Sequence, residues 1–233
     1  MSQWHSEQLQ QMLGEHDPDK LFVQAVELVQ ALGMQFVSLA THMHFAGKAP
    51  KVDFRSNYPD EWHQTYQHEF MNSDPACYEC RKTTLPLLWN DELFKELPQL
   101  RESACAHGLR HGWTQSLFDQ LHNESQLSVA RPDGQIRPIE LYENGAQIMW
   151  LCQLLHTAVS EQQMASEAHY APLSKRELEV MKWSSEGKIA EDVAKILSLS
   201  PSTVNFHIRS VIAKTNTSNK VAAIVNVFRQ GLL

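Results

Sequence analysis

The sequence predicts an α+β protein in two parts: an N-terminal α/β/α sandwich around a mostly antiparallel sheet, and a C-terminal all-α domain of four helices with a helix-turn-helix. Helices and strands alternate irregularly before residue 165, whereas only helical patterns follow residue 173. The charge also changes sign: residues 1–171 carry 11 Lys and Arg against 22 Asp and Glu, and residues 172–233 carry 9 against 5. We therefore expect domains at 1–164 and 173–233, joined by a polar linker at 165–172.

The N-terminal elements follow from caps and periodicity. In "DPDKLFVQAVELVQAL", Asp17 is an N-cap and Pro18 takes the first helical position. A second helix is predicted after Pro59, and a long one from Pro138 through about Met164. Strand patterns rich in β-branched and aromatic residues occur at residues 34–43, 50–56, 84–89, 113–118 and 126–131.

The C-terminal segment carries start and stop signals for four helices. Ser174 and Glu177 have the spacing of a capping box, and that helix stops near Gly187. The second helix is "IAEDVAKILSL", and the third begins with Ser200 as its cap and Pro201 at its first position. "NKVAAIVNVFRQG" is the fourth. Only about three residues separate the second and third helices, which is helix-turn-helix spacing.

Composition excludes several classes of protein. The chain has 42% hydrophobic and 20% charged residues, as in a soluble globular protein. An apolar run near 18 residues and a signal-peptide pattern are both missing from the sequence, and its four cysteines are irregularly spaced, so we expect a cytoplasmic protein without a membrane span. The sequence contains no Ser-His-Asp order, metal-protease helix or phosphate loop, so we expect neither an enzyme nor a metal or cofactor site.

The third C-terminal helix has the residues of a DNA-recognition helix. Asn205 and Arg209 are four residues apart and share one face, where they can pair with adenine and guanine edges. Residues that can reach phosphates flank them: Ser202, Thr203, His207, Ser210 and Lys214. An ordinary amphipathic helix with a solvated face would show similar spacing. The turn, the caps and the positive charge of this segment together favour binding of double-stranded DNA.

Residues 173–224 resemble the DNA-binding domain of LuxR-type regulators. The matching positions are Glu177, Trp183, Gly187, Val204, His207, Lys214, Asn219 and Lys220. The resemblance implies base contacts by Asn205 and Arg209, and a homodimer on an inverted repeat. Two positions differ from the usual pattern. Met181 replaces a Leu, and Ile189 replaces a Thr that caps the second helix.

The segment before the linker resembles the acyl-homoserine-lactone-binding domain of quorum-sensing LuxR-type proteins. The resemblance is carried by Tyr58, Trp62, Tyr66, Asp74, Pro75, Trp89, Gly112 and Ser128. It implies that Trp62 donates to the lactone carbonyl and Tyr66 to the amide carbonyl of an N-acyl homoserine lactone. Asp74 would accept from the ligand's amide N–H, and Trp89 would pack on the lactone ring. Ser38, Tyr58 and Ser128 would add hydrogen bonds near the acyl carbonyl.

Several alternatives stay open. Asp74 is also a ready N-cap before Pro75. "FDQLHNESQLSVAR" is polar where the family usually has a glycine-containing turn and an apolar strand, so the signal could be a small molecule other than a lactone. If Glu124 or Gln126 pointed inward, the space for an acyl chain would be shorter or more polar. Cys77 and Cys80 allow a thiol or metal sensor, although two helix-borne thiols explain them equally.

Overall fold

A computed structural model describes residues 6–45, 50–83, 85–167 and 172–233. The chain divides into two compact units. One contains Met1–Met43, Val52–Phe118 and Glu124–Ser166, and the other contains His44–Lys51, Asp119–Asn123 and Glu167–Leu233. Within the described part of the chain, no helix is long and apolar enough to cross a membrane.

The N-terminal unit is built around a five-stranded sheet in the order β2-β1-β5-β4-β3. The strands are β1 Phe36–Met43, β2 Lys51–Ser56, β3 Leu87–Leu88, β4 His111–Phe118 and β5 Glu124–Arg131. Its helices are α1 Ser6–Leu13, α2 Pro18–Ala31, α3 Asp60–Thr65, α4 Pro75–Cys80, α5 Pro98–Ala106 and α6 Pro138–Glu167, and a π-helical turn, Tyr66–Phe70, continues α3. The ladders of β5 with β1 and β4, and of β4 with β3, are antiparallel. The predicted α/β/α sandwich is confirmed.

The two faces of the sheet bury different kinds of side chain, because successive residues of a strand point to opposite sides. On one face, Leu39, Leu127 and Trp113 join a core with residues of α2 and α6. On the other face, Phe36 and Ala130 join a cluster with aromatic residues of α3 and the π-helical turn. Ser38, Ser128 and Thr114 lie side by side on this second face. The second face therefore carries the hydroxyl groups of Ser38, Ser128 and Thr114 next to its aromatic cluster.

The structure differs from the sequence prediction at several elements. α1 and α5 were not predicted, because each is short and α5 buries only Leu100 and Ala104. β3 covers two residues of the predicted strand 84–89. α6 continues to Glu167, so the first part of the predicted linker is helical, and the part at 168–171 lies outside the described residues.

The C-terminal unit consists of α7 Lys175–Ser185, α8 Ala190–Leu197, α9 Pro201–Lys214 and α10 Lys220–Arg229. The capping box of Ser174 and Glu177 is present and Ser200 caps α9, as predicted. Asn219, which was not predicted as a cap, caps α10. Ile189 occupies the N-cap of α8 without any side-chain hydrogen bond. The core where α7, α8 and α9 meet contains the buried side chains of Val180, Val193 and Val204. The four-helix prediction is confirmed.

Candidate functional site

An aromatic cluster stands over the hydroxyl-bearing face of the sheet. Trp62 and Tyr66 lie on consecutive turns, with ring centroids 5.8 Å apart. The Met71 backbone N–H donates to the Tyr66 carbonyl, which is the five-residue spacing of a π-helix. The Tyr58 ring meets the Tyr66 ring edge-on at 6.4 Å. Trp62 and Tyr66 are 1% and 8% exposed, so the cluster lies inside the domain and not on its surface. We call Tyr58, Trp62 and Tyr66 the aromatic wall.

A cavity of about 30 Å³ lies between this wall and the sheet. Its lining residues are Tyr58, Trp62, Tyr66, Asp74, Trp89, Phe94, Leu100, Arg101, Ala104, Leu109 and Ser128. Six of the seven residues singled out in the sequence as ligand contacts are in this lining. The seventh, Ser38, is outside the lining but is hydrogen-bonded to it, since the hydroxyl of the lining residue Tyr58 donates to Ser38 Oγ at 2.7 Å. The lining residues of α5 were missed because that helix was not predicted.

Asp74 connects the cavity to the backbone of α4. Its Oδ1 accepts from the Ala76 N–H at 2.8 Å, and its Oδ2 accepts from the Tyr66 hydroxyl at 2.8 Å. Burial raises the pKa of this carboxyl, and the hydrogen bonds from Tyr66 and Ala76 oppose the rise. Burial also raises the pKa of Tyr66, so its hydroxyl remains a donor. The carboxyl is therefore held by a helix-cap N–H on Oδ1 and by the Tyr66 hydroxyl on Oδ2, which the Cys77 thiol also approaches at 3.8 Å.

The two tryptophans of the cavity differ in how their N–H groups are used. Trp89 Nε1 donates to Thr114 Oγ1 at 2.9 Å, and Thr114 Oγ1 lies 2.9 Å from Ser128 Oγ. Trp62 Nε1 is buried and has no hydrogen-bond partner among the described residues. A buried donor without an acceptor costs about 1–3 kcal/mol of stability. Trp62 therefore offers the cavity an indole N–H that an acceptor on a ligand would satisfy.

Gly112 allows Trp89 to lie against the sheet. A Cβ at this position would be 2.5 Å from the Val129 carbonyl oxygen and 2.8 Å from ring atoms of Trp89. Real side chains do not approach so closely, so only glycine lets the indole pack flat on β4. The resemblance singled out Gly112, and this contact gives the physical reason for it.

A wider cleft of about 590 Å³ shares Trp89 and Arg101 with the cavity. The Arg101 guanidinium donates to the Arg110 carbonyl at 2.7 Å, which fixes its position along the cleft. Because Trp89 and Arg101 line both spaces, these two side chains form the partition between them.

Cys77 and Cys80 lie on α4 at helical spacing. Burial raises the pKa of Cys77 well above its usual range and that of Cys80 to about 11. The described residues contain no group of three or more metal-ligating side chains. A thiolate is the reactive form of cysteine. These environments therefore disfavour thiol chemistry at neutral pH.

The exposed face of α9 contains the residues singled out for DNA contact. Ser202, Asn205 and Arg209 are exposed, and Thr203 and His207 are half-buried. Phe206 is 66% exposed on the same face and was not predicted from the sequence, where it would pass for a core residue. Its helical spacing from the buried Val204 and Ile208, two residues to either side, was the signal that could have placed it outside. This face combines amide, guanidinium and aromatic groups.

Lys214 and Glu177 form an ion pair inside the same unit. Lys214 Nζ lies 2.8 Å from Glu177 Oε2 and donates to the Pro172 carbonyl at 3.1 Å. Ser210 donates to the other carboxylate oxygen at 2.7 Å. Burial opposes ionisation of Glu177, but the hydrogen bonds from Lys214, Ser210 and Ser174 together lower its pKa to about 2. Lys214 therefore has an intramolecular partner in addition to any external one.

Comparison with known proteins accounts for both units. The autoinducer binding domain family matches residues 17–159. The family of bacterial regulatory proteins called luxR matches residues 171–227. The chain belongs to the LuxR family. It is a transcriptional regulator with an autoinducer-binding domain and a DNA-binding helix-turn-helix domain, and this family is one of regulators, not enzymes.

LuxR-family relatives align over nearly the full chain. The transcriptional activator protein AnoR of Acinetobacter nosocomialis is 27% identical, and the alignment covers 100% of both chains. A crystal structure of Escherichia coli SdiA superposes with a TM-score of 0.80 at 32% identity, covering 96% of this chain and 95% of SdiA. A structure of SdiA in complex with octanoyl-rac-glycerol gives a TM-score of 0.78 at 30% identity, covering 98% and 97%. The LuxR-type arrangement of domains is thus shared along the whole chain.

Proposed function

We propose that this protein is a quorum-sensing transcriptional regulator that binds an N-acyl homoserine lactone in the cavity between the aromatic wall and the sheet. Ligand binding adds to the core of the N-terminal unit and stabilises it by mass action, by about 2.7 kcal/mol at a hundredfold excess over the dissociation constant. The stabilised protein binds an inverted-repeat promoter site as a homodimer.

The unpartnered Trp62 N–H carries the ligand proposal. A lactone carbonyl is an acceptor of the right kind for this donor, and Asp74 can accept from the ligand's amide N–H. Tyr66 then turns its hydroxyl from Asp74 to the amide carbonyl. Trp89 supplies a flat apolar surface for the ring, and Ser38, Tyr58 and Ser128 supply hydroxyls near the acyl carbonyl.

The exposed face of α9 supports the DNA proposal. Asn205 and Arg209 are assigned to base edges, and the exposed Phe206 ring suits apolar contact with a thymine methyl group. Ser202, Thr203 and His207 are assigned to phosphates. Lys214 belongs to the same set of proposed phosphate contacts. Because its ammonium also pairs with Glu177, its role on DNA has to be tested separately from its role in the fold.

Exposed apolar side chains support the dimer proposal. On α10, Val221, Val225 and Phe228 are 69%, 44% and 53% exposed at helical spacing. On α6, Tyr142 and Met149 are 82% and 46% exposed. Apolar rows of this kind on monomers mark surfaces that associate. Sedimentation of the protein with and without ligand measures the association directly.

A thermal-shift series tests the ligand. The purified protein is heated with N-butanoyl, N-octanoyl and N-dodecanoyl homoserine lactone, and one tail length is expected to raise the melting temperature by several degrees. Trp62→Phe keeps an aromatic ring but removes the N–H-bearing ring of the indole, so it should lose most of that rise. Trp113→Phe is the matched control, because the Trp113 N–H is also buried without a described partner but belongs to the core on the opposite face. A folded wild-type protein that responds to none of the lactones would refute the proposal.

A second candidate is a regulator of the same family that responds to an acylated compound without a lactone. The SdiA structure with octanoyl-rac-glycerol shows that a relative accommodates such a molecule. The polar side chains of β5, Glu124 and Gln126, favour this alternative because they lie buried in the sheet that floors the cavity. Including 1-octanoyl glycerol in the thermal-shift series separates the two candidates.

A further inference from the structure

Four rows of side chains cross the cavity face of the sheet: the row of Phe36, Ala130 and Gly112 is apolar, and the other three, taken in order from it, contain polar groups. The first of these three rows is Ser38, Ser128 and Thr114, and Ser128 lines the cavity. The second row, two residues further along each strand, is Ala40, Gln126 and Ser116. The third is His42, Glu124 and Phe118. An acyl chain running from Ser128 toward the third row would therefore meet the Gln126 amide, whereas in the opposite direction it would meet Phe36 and Ala130.

The Gln126 side chain is held in place by its amide nitrogen. Nε2 donates to the Cys77 carbonyl at 2.9 Å and to Glu124 Oε1. Glu124 is in turn held by Arg81, whose Nε donates to Oε2 at 2.8 Å. Gln126 is 2% exposed and Glu124 is 5% exposed. These bonds fasten α4 to β5 and leave no hydrogen of the Gln126 amide for another acceptor.

The side-chain oxygen of Gln126, unlike its amide nitrogen, has no hydrogen-bond partner among the described residues. Oε1 is buried, and nothing among the described residues donates to it. The backbone carbonyl that fixes its amide belongs to Cys77, whose sulfur lies 3.6 Å from the Tyr66 hydroxyl and 3.8 Å from Asp74 Oδ2. Tyr66 and Asp74 both line the cavity. Gln126 itself lies behind this lining, where its amide is fixed to the residue that contacts Tyr66 and Asp74, and the small side chains of Ala40 and Ser116 flank it in the sheet.

We propose that Gln126 determines specificity for the acyl part of the ligand and selects an acyl chain that carries a hydroxyl group. This inference rests on the proposed function. A hydroxyl donates to the free Oε1, whereas a methylene leaves it unpaired and a keto oxygen brings a second acceptor against it. Both polar groups are buried, so the discrimination against the other two chains is about tenfold in dissociation constant for one hydrogen bond.

Titration calorimetry on the full-length protein tests this inference with five ligands of equal chain length. They are N-octanoyl, N-(3-oxooctanoyl), N-(3-hydroxyoctanoyl) and N-(7-hydroxyoctanoyl) homoserine lactone, and 1-octanoyl glycerol. We expect one of the two hydroxylated lactones to bind about tenfold more tightly than the plain and 3-oxo chains. Gln126→Met removes the acceptor with an unbranched side chain and should abolish that preference.

Gln115→Met is the matched control. Gln115 is 2% exposed, its Oε1 is also buried without a described partner, and it lies on β4 at a position whose side chain faces the opposite side of the sheet from Ser116. The hydroxyl preference should survive this change. Loss of the preference in both variants would assign it to general loosening of the sheet and would overturn the role of Gln126.

The outcomes separate this inference from the proposed function. Binding of lactones without preference for either hydroxylated chain overturns the inference and leaves the proposed function intact. If Gln126→Met does not fold, the wild-type protein still tests the inference, because absence of a hydroxyl preference in the wild type overturns it. Binding of 1-octanoyl glycerol alone overturns both. A hydroxyl preference that persists in folded Gln126→Met overturns the inference only.

Discussion

The Tyr66 hydroxyl donates to Asp74 Oδ2 at 2.8 Å while the other oxygen of the same carboxyl caps α4 through the Ala76 N–H. The sequence offered two interpretations of Asp74, a ligand contact and a helix cap. The geometry gives the two oxygens separate surroundings, because Oδ1 caps α4 while Oδ2 faces the Tyr66 hydroxyl and the Cys77 thiol. Moving the Tyr66 hydroxyl to a ligand frees Oδ2 to accept from that ligand without disturbing the cap.

Replacing Asp74 separates these two tasks. Asn caps helices about as well as Asp, so Asp74→Asn should change ligand-free stability by less than about 1 kcal/mol. Ligand affinity should fall by about tenfold, because a neutral acceptor forms a weaker hydrogen bond than a carboxylate. Asp74→Ala removes the cap too and should cost about 1 kcal/mol more. Urea denaturation and titration calorimetry measure the two effects. Equal destabilisation by Asn and Ala would mean that the charge itself holds the fold.

Gly112→Ala should displace Trp89. The added Cβ would meet the Val129 carbonyl oxygen at 2.5 Å and the indole at 2.8 Å, so we expect a loss of about 1–3 kcal/mol in unfolding free energy and a weaker ligand response. Gly145→Ala is the control, since the nearest atom to its added Cβ is 4.0 Å away. In the interior of α6 that change should stabilise by up to about 1 kcal/mol. A neutral effect at Gly112 would show that the Trp89 ring has room to move.

Ile189→Thr should stabilise the C-terminal unit. Ile189 is the N-cap of α8, makes no side-chain hydrogen bond and is 59% exposed, so a hydroxyl there gains a cap without losing buried hydrocarbon. The expected gain is about 1 kcal/mol in unfolding free energy. Ile189→Ala shortens the side chain without supplying an acceptor and serves as the control. If Thr and Ala behave alike, the first-turn N–H groups of α8 already have adequate solvation.

Glu177 should make the C-terminal unit sensitive to acid. Its pKa falls from 4.5 to about 2 in the folded chain, so the unfolded chain takes up the proton first as pH decreases. This stabilisation is complete above about pH 5 and is lost as pH falls toward 2. Urea denaturation from pH 7 to pH 3, followed over residues 173–233 by pulse-labelled hydrogen exchange, measures it. Glu177→Gln should flatten the acid dependence, whereas Glu179→Gln, in an exposed pair with Arg176, should leave it unchanged.

Arg209 and Lys214 should behave differently on DNA. Arg209→Ala is expected to cost about 1–3 kcal/mol on the preferred site and to relax base preference at one position. Lys214→Ala should mainly destabilise the unit, because its ammonium already pairs with Glu177. Fluorescence anisotropy over a salt series distinguishes the roles. If Lys214→Ala lowers the magnitude of the slope of log affinity against log salt by about one, Lys214 contacts a phosphate. If Arg209→Ala weakens binding equally on all DNA sequences, Arg209 also contacts a phosphate and not a base.

Local signals were enough to predict much of this fold. Asp17, Ser174 and Ser200 cap their helices as expected, because a side-chain acceptor two or three residues before a free N–H acts within one turn. The alternating strands and the long helix at Pro138 also follow from periodicity. The cavity residues were singled out by resemblance alone, because the sequence by itself leaves a Trp and Tyr pair at helical spacing as ordinary core.

What the sequence could not supply depends on contacts between distant segments. The π-helical turn at Tyr66 has no local signature, and α5 lacks the periodicity that would identify it. Whether Trp62 has a partner, or whether Gln126 uses its nitrogen and leaves its oxygen free, depends on how α3 and α4 pack on the sheet. Such pairings arise only in tertiary structure, where residues tens of positions apart become neighbours.

The small size of the cavity has a consequence for timing. A space of about 30 Å³ holds about one water molecule, whereas ligand pockets usually measure about 300–1,000 Å³. We therefore expect a ligand to enter and leave by displacing walls such as the partition of Trp89 and Arg101. Its residence then depends on how often the domain opens, which a wash-out experiment measures. We expect a regulator built this way to retain its signal after the surroundings have lost it, so that its output would reflect the recent past of the population as well as its present.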